Sequence, residues 1–318
     1  MPINPTPISQ YAAPFSTPRP TLSKPQGGDQ FQISEPRYTF SDMVLTPDLK
    51  DSIQDALAIF QYRHQLFEVW NLASVIKQPN NFCLNLYGES GTGKTMAANA
   101  IASQLGFKLL RVNYAEIESK YVGETSKNLE RMFAVARENH AIILFDEADA
   151  LLSRRVTDMT SATDVSVNQT RSVLLTLLDG YDGMVIFTTN FISNYDPAFM
   201  RRIPFHIKFE LPNEAQRIAL LQHYLTGTIP NHIDSALVAK RFSGIAGGDI
   251  ANALLISALK TAREKRDLLE QSDFEKALSQ ILKSKQENYV KTVTIESHSV
   301  TEEYARAQLA AHQTIQEE

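Results

Sequence analysis

The alternation of apolar and polar stretches between residues 38 and 212 has the pattern of a layered α/β domain. Short apolar runs, which predict buried strands, read FCLNLYG (82–88), FKLLRVN (107–113), AIILFD (141–146) and MVIFTTN (184–190). Longer stretches at 50–70, 94–105, 125–139 and 165–179 predict helices before and between these strands. Because strands that alternate with helices of this length form parallel sheets, we predict an α/β fold with a doubly wound parallel sheet in residues 38–212.

After Pro212 the pattern is helical, and we expect no further strands. Asn213 is expected to open a helix through Leu225, and Asp249 another through about residue 265. The sequence SDFE (272–275) has the form of a capping box, which predicts the start of a third helix. Residues 213–285 are therefore predicted to form a small all-helical domain that follows the α/β domain.

The two ends of the chain lack this patterning. The first 30 residues hold seven of the 14 prolines and few clustered apolar residues. Such a segment cannot bury enough surface to offset its ordering entropy, so residues 1–37 are expected to be a disordered tail, either a passive linker or a docking arm for a partner. Residues 286–318 are predicted to be a polar, partly helical tail.

Composition narrows the classes of protein that the chain can belong to. Its 43% hydrophobic and 21% charged residues are typical of a globular protein, and a net charge of -5 favours no nucleic-acid partner. Cys83 is the one cysteine, in an apolar run, which excludes an internal disulfide and predicts a buried, inert thiol. Because the sequence has neither a signal peptide nor an apolar run of ~18 residues, we expect no membrane span and a cytoplasmic location.

The sequence GESGTGKT satisfies the phosphate-loop pattern G-x-x-x-x-G-K-[ST] and lies between a predicted strand and a predicted helix. Glycines let such a loop curl so that backbone N–H groups face a nucleotide phosphate, and the helix dipole adds to that field. Lys94 would reach the β- and γ-phosphates, and the hydroxyl of Thr95 would bind Mg²⁺. The nucleotide-binding residues predicted here are Gly88, Glu89, Ser90, Gly91, Thr92, Gly93, Lys94 and Thr95.

Polar residues end the next two predicted strands. Asp146 follows AIILF and is expected to hold Mg²⁺, while Glu147 is placed to activate the attacking water as general base. Asn190 ends MVIFTTN and is predicted to orient that water or to sense the γ-phosphate. Asp149 is interpreted as a residue that starts a helix rather than as a catalytic group.

The order of these motifs resembles the AAA family of ATPases within the AAA+ superfamily. The resemblance covers about residues 39–265 and includes GESGTGKT, SKYVGETSKNLERMF, ILFDEADALLSRR, LLTLLDGYDG, FTTN, DPAFMRR and SGIAGGDI. It implies a nucleotide-binding α/β domain with a helical lid, and ATP and Mg²⁺ as cofactors. Members of this family usually act as hexameric rings that convert ATP hydrolysis into mechanical remodelling of a protein.

The same resemblance implies a role for the stretch between the phosphate loop and the acidic strand. Family members place an aromatic-aliphatic-glycine loop there that projects into the central pore, and Lys120, Tyr121, Val122 and Gly123 match that position. A flat aromatic ring can grip an extended polypeptide without sequence selectivity. The alternative is that Tyr121 packs against its own domain.

The family pattern A-x-x-R-x-x-R-F supplies arginines that contact the neighbouring subunit's γ-phosphate. In AFMRRIPFHIKF (198–209), Arg201 matches the first arginine, whereas Pro204 stands where the second is expected. Arg202 is the candidate substitute, and its alternative role is surface charge. A proline cannot stabilise a phosphoryl transition state, so one of the two usual arginine fingers is in question.

Adenine contacts are expected on both sides of the base. FSGIAGGDIANALL (242–255) resembles the start of the family's lid segment, with Gly247 and Gly248 allowing close backbone approach and Asp249 as a helix N-cap. FSDMVL (40–45) stands where the family usually carries glycines, and we predict contacts from Met43 and Val44.

Remaining charged and imidazole groups point to no further site. The histidines have no metal-ligand spacing, and His206 is interpreted as a strand residue. Arg154 and Arg155 follow the acidic strand, and they are either surface charges or contacts to a neighbour or a second pore loop.

Three functions are weighed from the sequence. A ring-shaped homo-oligomer that threads or unfolds a protein substrate agrees with most motifs, and a slow nucleotide-dependent switch or scaffold is the alternative that a missing arginine would permit. DNA clamp loading or helicase work is disfavoured by the net charge. SKYVGE resembles the severing and extracting branch, while FSDMVL resembles the pachytene-checkpoint-type remodellers of HORMA-domain proteins, which some bacteria keep in antiviral signalling operons.

Overall fold

A computed structural model describes residues 31–75, 82–113, 125–153, 162–190, 195–226 and 229–290. The predicted pore loop at 120–123, Arg154, Arg155, the first 30 residues and residues 291–318 lie outside these ranges. The structure divides into two units. The first runs to Glu89 and from Lys94 to Phe209, and the second comprises Ser90–Gly93 and the chain from Glu210.

The first unit contains an α/β arrangement in the predicted order. Its strands are β1 (Ile33–Ser34), β2 (Phe82–Gly88), β3 (Lys108–Asn113), β4 (Ala141–Asp146), β5 (Met184–Thr189) and β6 (Phe205–Phe209). Its helices are α1 (Pro47–His64), α2 (Lys94–Leu105), α3 (Thr125–Glu138), α4 (Asp149–Leu152), α5 (Ala162–Gly180) and α6 (Pro197–Met200). A π-helical turn continues α1 through Val69, which extends that element to the predicted length.

The sheet of the first unit has the strand order β1-β3-β4-β5-β2-β6. Strands β2 to β6 pair in parallel, and this agrees with the prediction of a doubly wound parallel sheet. The edge strand β1 is antiparallel to β3, a pairing of two residues that is too short to leave a periodic signal in the sequence. The parallel order brings the carboxyl ends of β2, β4 and β5 to one edge of the sheet, where ligands of such folds bind.

Successive residues of the central strands enter two different cores. Cys83, Ile143 and Phe187 pack on one face with helices α3 and α5. Leu84, Leu144 and their neighbours pack on the opposite face with α1 and α2. Burial on both faces explains why these strands are apolar throughout rather than alternating. The Cys83 thiol is fully buried as predicted, and burial raises its pKa to about 12.

The second unit is mostly helical, with α7 (Glu214–Tyr224), α8 (Ser235–Arg241), α9 (Gly247–Arg263) and α10 (Gln271–Val290). Two short strands, β7 (Asn231–His232) and β8 (Leu269–Glu270), pair in parallel, so the expectation that strands stop after Pro212 is wrong at this point. Leu221, Val238 and Phe274 lie in the core that the helices share. Two-residue strands of this kind sit between helices and have no periodicity of their own.

Two predicted helix starts in this unit differ from the structure. Helix α10 begins at Gln271, so the sequence SDFE lies inside its first turn and does not form the predicted capping box. Helix α9 begins at Gly247 after Ala246, so Asp249 is not the N-cap residue. Its carboxylate instead accepts a hydrogen bond from the N–H of Ala246 at 2.7 Å and forms an ion pair with Nζ of Lys285 at 2.5 Å. Asp249 therefore stabilises the same helix end from inside the first turn.

Within the described ranges, no helix has the length and apolar character that crossing a membrane requires. The same residues contain no group of three or more histidine, cysteine, aspartate or glutamate side chains arranged to hold a metal ion.

Candidate functional site

The phosphate loop connects the end of β2 to the start of α2. Gly88, Gly91 and Gly93 have φ angles of 140°, 79° and 100°. Residues other than glycine rarely adopt positive φ angles of this size. A Cβ atom at Gly88 would lie 2.0 Å from the carbonyl oxygen of Phe209 on the neighbouring strand β6. Only glycine therefore fits at position 88, and the loop has the curled backbone that phosphate-cradling nests use.

Lys94 is the buried cation of the site, with a relative exposure of 9%. Its Nζ donates hydrogen bonds to the carbonyl oxygens of Gly88 at 2.6 Å and Glu89 at 2.8 Å, and to Oδ1 of Asn190 at 3.1 Å. Burial lowers the pKa of Lys94, and the carboxylates of Asp149 and Asp146 act against that shift. The loop thus holds its ammonium group between neutral acceptors, each of which a phosphate oxygen could replace.

Asp146 ends β4 and accepts hydrogen bonds on both carboxylate oxygens. Oδ1 accepts from the hydroxyl of Thr95 at 2.9 Å and from the hydroxyl of Thr188. Oδ2 accepts from Nη2 of Arg111 at 2.5 Å, although the Arg111 side chain is 65% exposed. Adjacent carboxylate and hydroxyl oxygens are the hard ligands that Mg²⁺ prefers, so Thr95 and Asp146 fit the predicted metal.

Glu147 follows directly but has a different environment. Its φ angle of 54° is left-handed, its N–H donates to the hydroxyl of Thr188 at 3.1 Å, and its side chain is exposed. A non-glycine residue in this region costs of the order of 1 kcal/mol, and such backbone strain clusters at functional sites. The turn separates an exposed carboxylate, Glu147, from the nearly buried carboxylate of Asp146.

Asn190 lies immediately beyond β5. Its side-chain Oδ1 accepts a hydrogen bond from Lys94, while its backbone N–H donates to both carboxylate oxygens of Asp149 at 2.9 and 3.1 Å. The structure therefore forms two hydrogen-bonded pairs, Lys94 with Asn190 and Thr95 with Asp146, and Lys94 and Thr95 are adjacent at the start of α2.

A second polar group lies in the sheet beneath this site. The hydroxyl of Tyr195 donates to Thr189, whose hydroxyl donates to Oδ1 of Asn85 at 3.2 Å. Asn85 is fully buried on β2, and its Nδ2 lies 3.4 Å from the imidazole Nδ1 of His206 on β6. Burial lowers the pKa of His206, which favours the neutral ring. These contacts link β2, β5 and β6 directly below Asn190.

The two candidate arginine fingers have different surroundings. Arg202 forms a two-pronged ion pair with Asp179, with Nε and Nη2 each 2.7 Å from a carboxylate oxygen. These hydrogen bonds lower the pKa of Asp179, and Nη1 of Arg202 also donates to the carbonyl of Ala198 at 3.1 Å. Arg201 caps the end of α6 and its side chain is exposed. Arg202 is therefore engaged within its own chain, whereas Arg201 is accessible.

The predicted adenine contacts are placed separately in the two units. In the first, Met43 ends a 3₁₀ turn and packs against the core beside α1 and α2, and Val44 is half-buried. In the second, the N–H of Gly248 donates to the carbonyl of Gly91 at 3.1 Å. A Cβ at Gly248 would come within 3.2 Å of the Cα of Gly91, which explains the glycine. A role of Met43, Val44 and Gly248 in binding adenine remains a prediction.

Sequence reasoning missed two residues that contact the predicted site, Thr188 and Arg111, and assigned a third, Asp149, only to a helix start. Thr188 bonds both Asp146 and the backbone of Glu147, Arg111 pairs with Asp146, and Asp149 holds the backbone of Asn190. Arg111 and Thr188 carried a usable signal, because polar side chains near the carboxyl ends of apolar parallel strands lie at the ligand-binding edge. Asp149 carried none, since an acidic residue at a helix start is common.

Residues 84–211 match the family profile described as "ATPase family associated with various cellular activities (AAA)". The matched segment begins in β2 and includes the phosphate loop, the acidic strand, Asn190 and both candidate arginines. These residues form an AAA domain.

Proteins similar to this chain include regulatory subunits of proteasomes. The "26S proteasome regulatory subunit 8 homolog" of Saccharomyces cerevisiae is 33% identical over 259 residues, which are 78% of this chain and 62% of that protein. The "26S proteasome regulatory subunit 10B homolog A" of Arabidopsis thaliana is 36% identical over 219 residues (66% and 54%). The "Proteasome-activating nucleotidase" of Methanopyrus kandleri is 35% identical over 210 residues (64% and 48%). The chain spans about half to three fifths of the length of these relatives.

Proposed function

We propose that this chain is an ATPase, dependent on Mg²⁺, that uses hydrolysis in a ring-shaped homo-oligomer to remodel or unfold a protein substrate. The observation that carries the proposal is the arrangement at the carboxyl edge of the sheet, where Lys94 bonds Asn190 and the adjacent Thr95 bonds Asp146. It combines a phosphate-binding cation, two oxygen ligands for a metal and a polar amide in one place. A site with that composition is suited to phosphoryl transfer.

Each residue has a distinct part in the proposed reaction. The loop glycines and Lys94 bind the phosphates, and Lys94 exchanges its carbonyl acceptors for phosphate oxygens. Thr95 and Asp146 would hold Mg²⁺, which neutralises charge on the phosphate oxygens when it is bound. Exposed Glu147 accepts a proton from the attacking water, and Asn190 orients that water.

The proposed ring completes each site with an arginine from the neighbouring subunit. The accessible Arg201 is the better candidate for this finger, and Arg202 is the residue that anchors its segment to Asp179 on α5. In such a contact, the surface with Arg201 of one subunit meets the ATP site of the next subunit. Because the two surfaces differ, the contact repeats from subunit to subunit and closes into a ring rather than a pair. A hexamer is the number that the family resemblance implies.

The finger assignment predicts a strong contrast between two neighbouring arginines. Arg201→Ala should lower the ATPase rate by about 10³-fold while ATP binding is retained, because it removes charge stabilisation in the transition state. Arg202→Ala should lower the rate by about tenfold or less, because a surface ion pair contributes only ~1 kcal/mol to the position of this segment. Phosphate release and ATP affinity, measured on both variants, check the prediction.

Mixed assemblies test whether the finger acts across subunits. Arg201→Ala subunits keep Glu147, and Glu147→Gln subunits keep Arg201, so mixing two inactive variants should restore activity at the sites that combine the intact residues. A mixture no more active than the sum of its parts would exclude Arg201 as a finger in trans.

The grip on a substrate is proposed for Lys120, Tyr121, Val122 and Gly123. Tyr121→Ala should keep the ATPase rate within about threefold but abolish unfolding of a fluorescent protein that carries an unstructured tail. The substitution removes the contact of the aromatic ring with the polypeptide and leaves the residues of the ATP site unchanged. Tyr121→Phe keeps the flat ring and should retain unfolding. Unchanged unfolding in Tyr121→Ala would reassign Tyr121 to packing within its own domain.

The substrate class is proposed more finely from the segment before the phosphate loop. FSDMVL resembles the HORMA-domain remodellers, which supports a HORMA-domain protein as substrate or adaptor in bacterial antiviral signalling, in the cytoplasm. The names of the similar proteins instead support a partnership with a proteasome-type protease. The alternative function is a slow nucleotide-dependent switch or scaffold, which the engagement of Arg202 within its own chain favours.

A further inference from the structure

Asp149 occupies the first position of α4, directly after the turn that carries Glu147. Both of its carboxylate oxygens accept the backbone N–H of Asn190, at 2.9 and 3.1 Å. The side chain thus connects the segment after the acidic strand β4 to the end of β5, 41 residues further along the chain. A helix-start residue needs no such contact, so this geometry requires another explanation.

Helix α4 is held firmly enough to aim that carboxylate. The N–H of Ala148 donates to the carbonyl of Thr188 at 2.9 Å, directly before the helix. At the other end, Arg171 is buried, with 3% exposure, and donates to the carbonyls of Ala150 at 2.5 Å and Leu151 at 3.1 Å. A buried guanidinium that donates to helix carbonyls opposes a shift of the helix, because movement would break these two hydrogen bonds.

The contact of Asp149 extends through Asn190 to Lys94. The Asn190 side chain accepts a hydrogen bond from Lys94, so the chain of contacts runs from Asp149 through Asn190 to the buried ammonium group. This geometry couples Asp149 to the site.

We infer that Asp149 is a positioning residue of the ATP-hydrolysis site, which fixes the backbone of Asn190 so that its side-chain amide is held beside Lys94. The inference rests on the proposed ATPase function and concerns the same site. A charge-assisted bond from a carboxylate to a backbone N–H is short and directional, and it restricts the peptide whose amide side chain must meet the reacting water. Asp149 itself touches neither nucleotide nor water in this assignment.

Three variants test the role of Asp149 in one series. Asp149→Ala removes the acceptor, and a misplaced Asn190 should lower kcat by about 10- to 100-fold. The affinity for ATP should change by less than about threefold, because the phosphate loop is intact. Asp149→Asn keeps one acceptor oxygen and should recover most of kcat. Asp234→Ala is the matched control, since the Asp234 carboxylate likewise accepts backbone hydrogen bonds, from two N–H groups at 2.9 and 3.0 Å, but at the start of α8.

A double-mutant cycle with Asn190→Ala separates positioning from general stability. If Asp149 acts through Asn190, adding Asp149→Ala to Asn190→Ala should lower kcat by less than about twofold further. Asp234→Ala should lower the melting temperature but leave kcat unchanged. Melting temperatures of all variants show which of them are folded under the assay conditions.

The outcomes distinguish this inference from the proposed function. A wild-type chain that binds ATP without hydrolysing it would overturn the ATPase proposal itself. If the wild-type chain hydrolyses ATP and Asp149→Ala is equally active, only the inference about Asp149 would be overturned. Additive losses in the cycle, or an Asp149→Asn variant as slow as Asp149→Ala, would also overturn it, because the retained acceptor would then have no effect.

Discussion

Lys94→Ala is expected to abolish measurable ATP binding, with at least about a 100-fold loss of affinity, because two charge-assisted hydrogen bonds to phosphate are worth roughly 3 kcal/mol or more. Lys94 is the buried cation of the phosphate loop, and its three acceptors, Gly88, Glu89 and Asn190, are neutral. None of the groups that lose a hydrogen bond in Lys94→Ala is therefore a carboxylate. Titration of the variant with ATP and Mg²⁺ by calorimetry measures the loss.

Lys108→Ala is the matched control for this variant. Lys108 lies in the same unit and forms an ion pair with Glu35 at 3.7 Å, and its side chain is 49% exposed. It should bind ATP as the wild type does, with a change in stability below about 1 kcal/mol. Normal ATP affinity in Lys94→Ala would contradict the assignment of GESGTGKT as the phosphate loop.

The second large effect is expected for Glu147→Gln, which should lower the hydrolysis rate by about 10²- to 10⁴-fold while ATP remains bound. The amide keeps the shape of the side chain and tolerates the same left-handed backbone, with φ at 54°, but it cannot accept a proton. Its side chain is exposed, so the substitution disturbs no packed core. Phosphate release under single-turnover conditions, together with ATP affinity, separates lost chemistry from lost binding.

Glu147→Gln also discriminates between the two proposed functions. A remodeller that cannot hydrolyse ATP should become an ATP-bound ring that retains its protein substrate, so affinity capture in ATP should enrich a HORMA-domain protein or another polypeptide for identification. A slow switch should show little change in partner binding. Glu138→Gln, at the exposed end of α3, is the control and should behave as the wild type. A Glu147→Gln variant with the wild-type hydrolysis rate would remove Glu147 from the chemistry.

The α/β core could be predicted because its strands are buried on both faces. AIILFD and MVIFTT, which have every residue buried, are too apolar to lie anywhere but in the centre of a sheet. The phosphate loop was equally visible, since GESGTGKT satisfies the pattern G-x-x-x-x-G-K-[ST] between a predicted strand and a predicted helix. Local sequence dictates these features, and for that reason they needed no knowledge of the tertiary structure.

Features that depend on partners distant in sequence could not be predicted in this way. Arg111 and Asp146 are 35 residues apart, and Asp149 and Asn190 are 41 residues apart. No periodicity or capping rule connects such residues, and they meet only because parallel strands end at one edge. The start of α10 was misplaced for a related reason. Glu270 pairs with His232 in a short strand, so the helix begins at Gln271 and the Ser272 that resembled a cap lies within it.

The burial of Cys83 has a practical consequence for labelling chemistry. Thiol reagents attack the thiolate, and a fully buried thiol with a pKa of about 12 presents almost none of it at neutral pH. Because these 318 residues contain no other cysteine, one cysteine placed at residues 120–123 would be the single reactive position without any prior removal of Cys83. A crosslinker attached there would test the proposed grip, which predicts that a polypeptide substrate is marked during turnover.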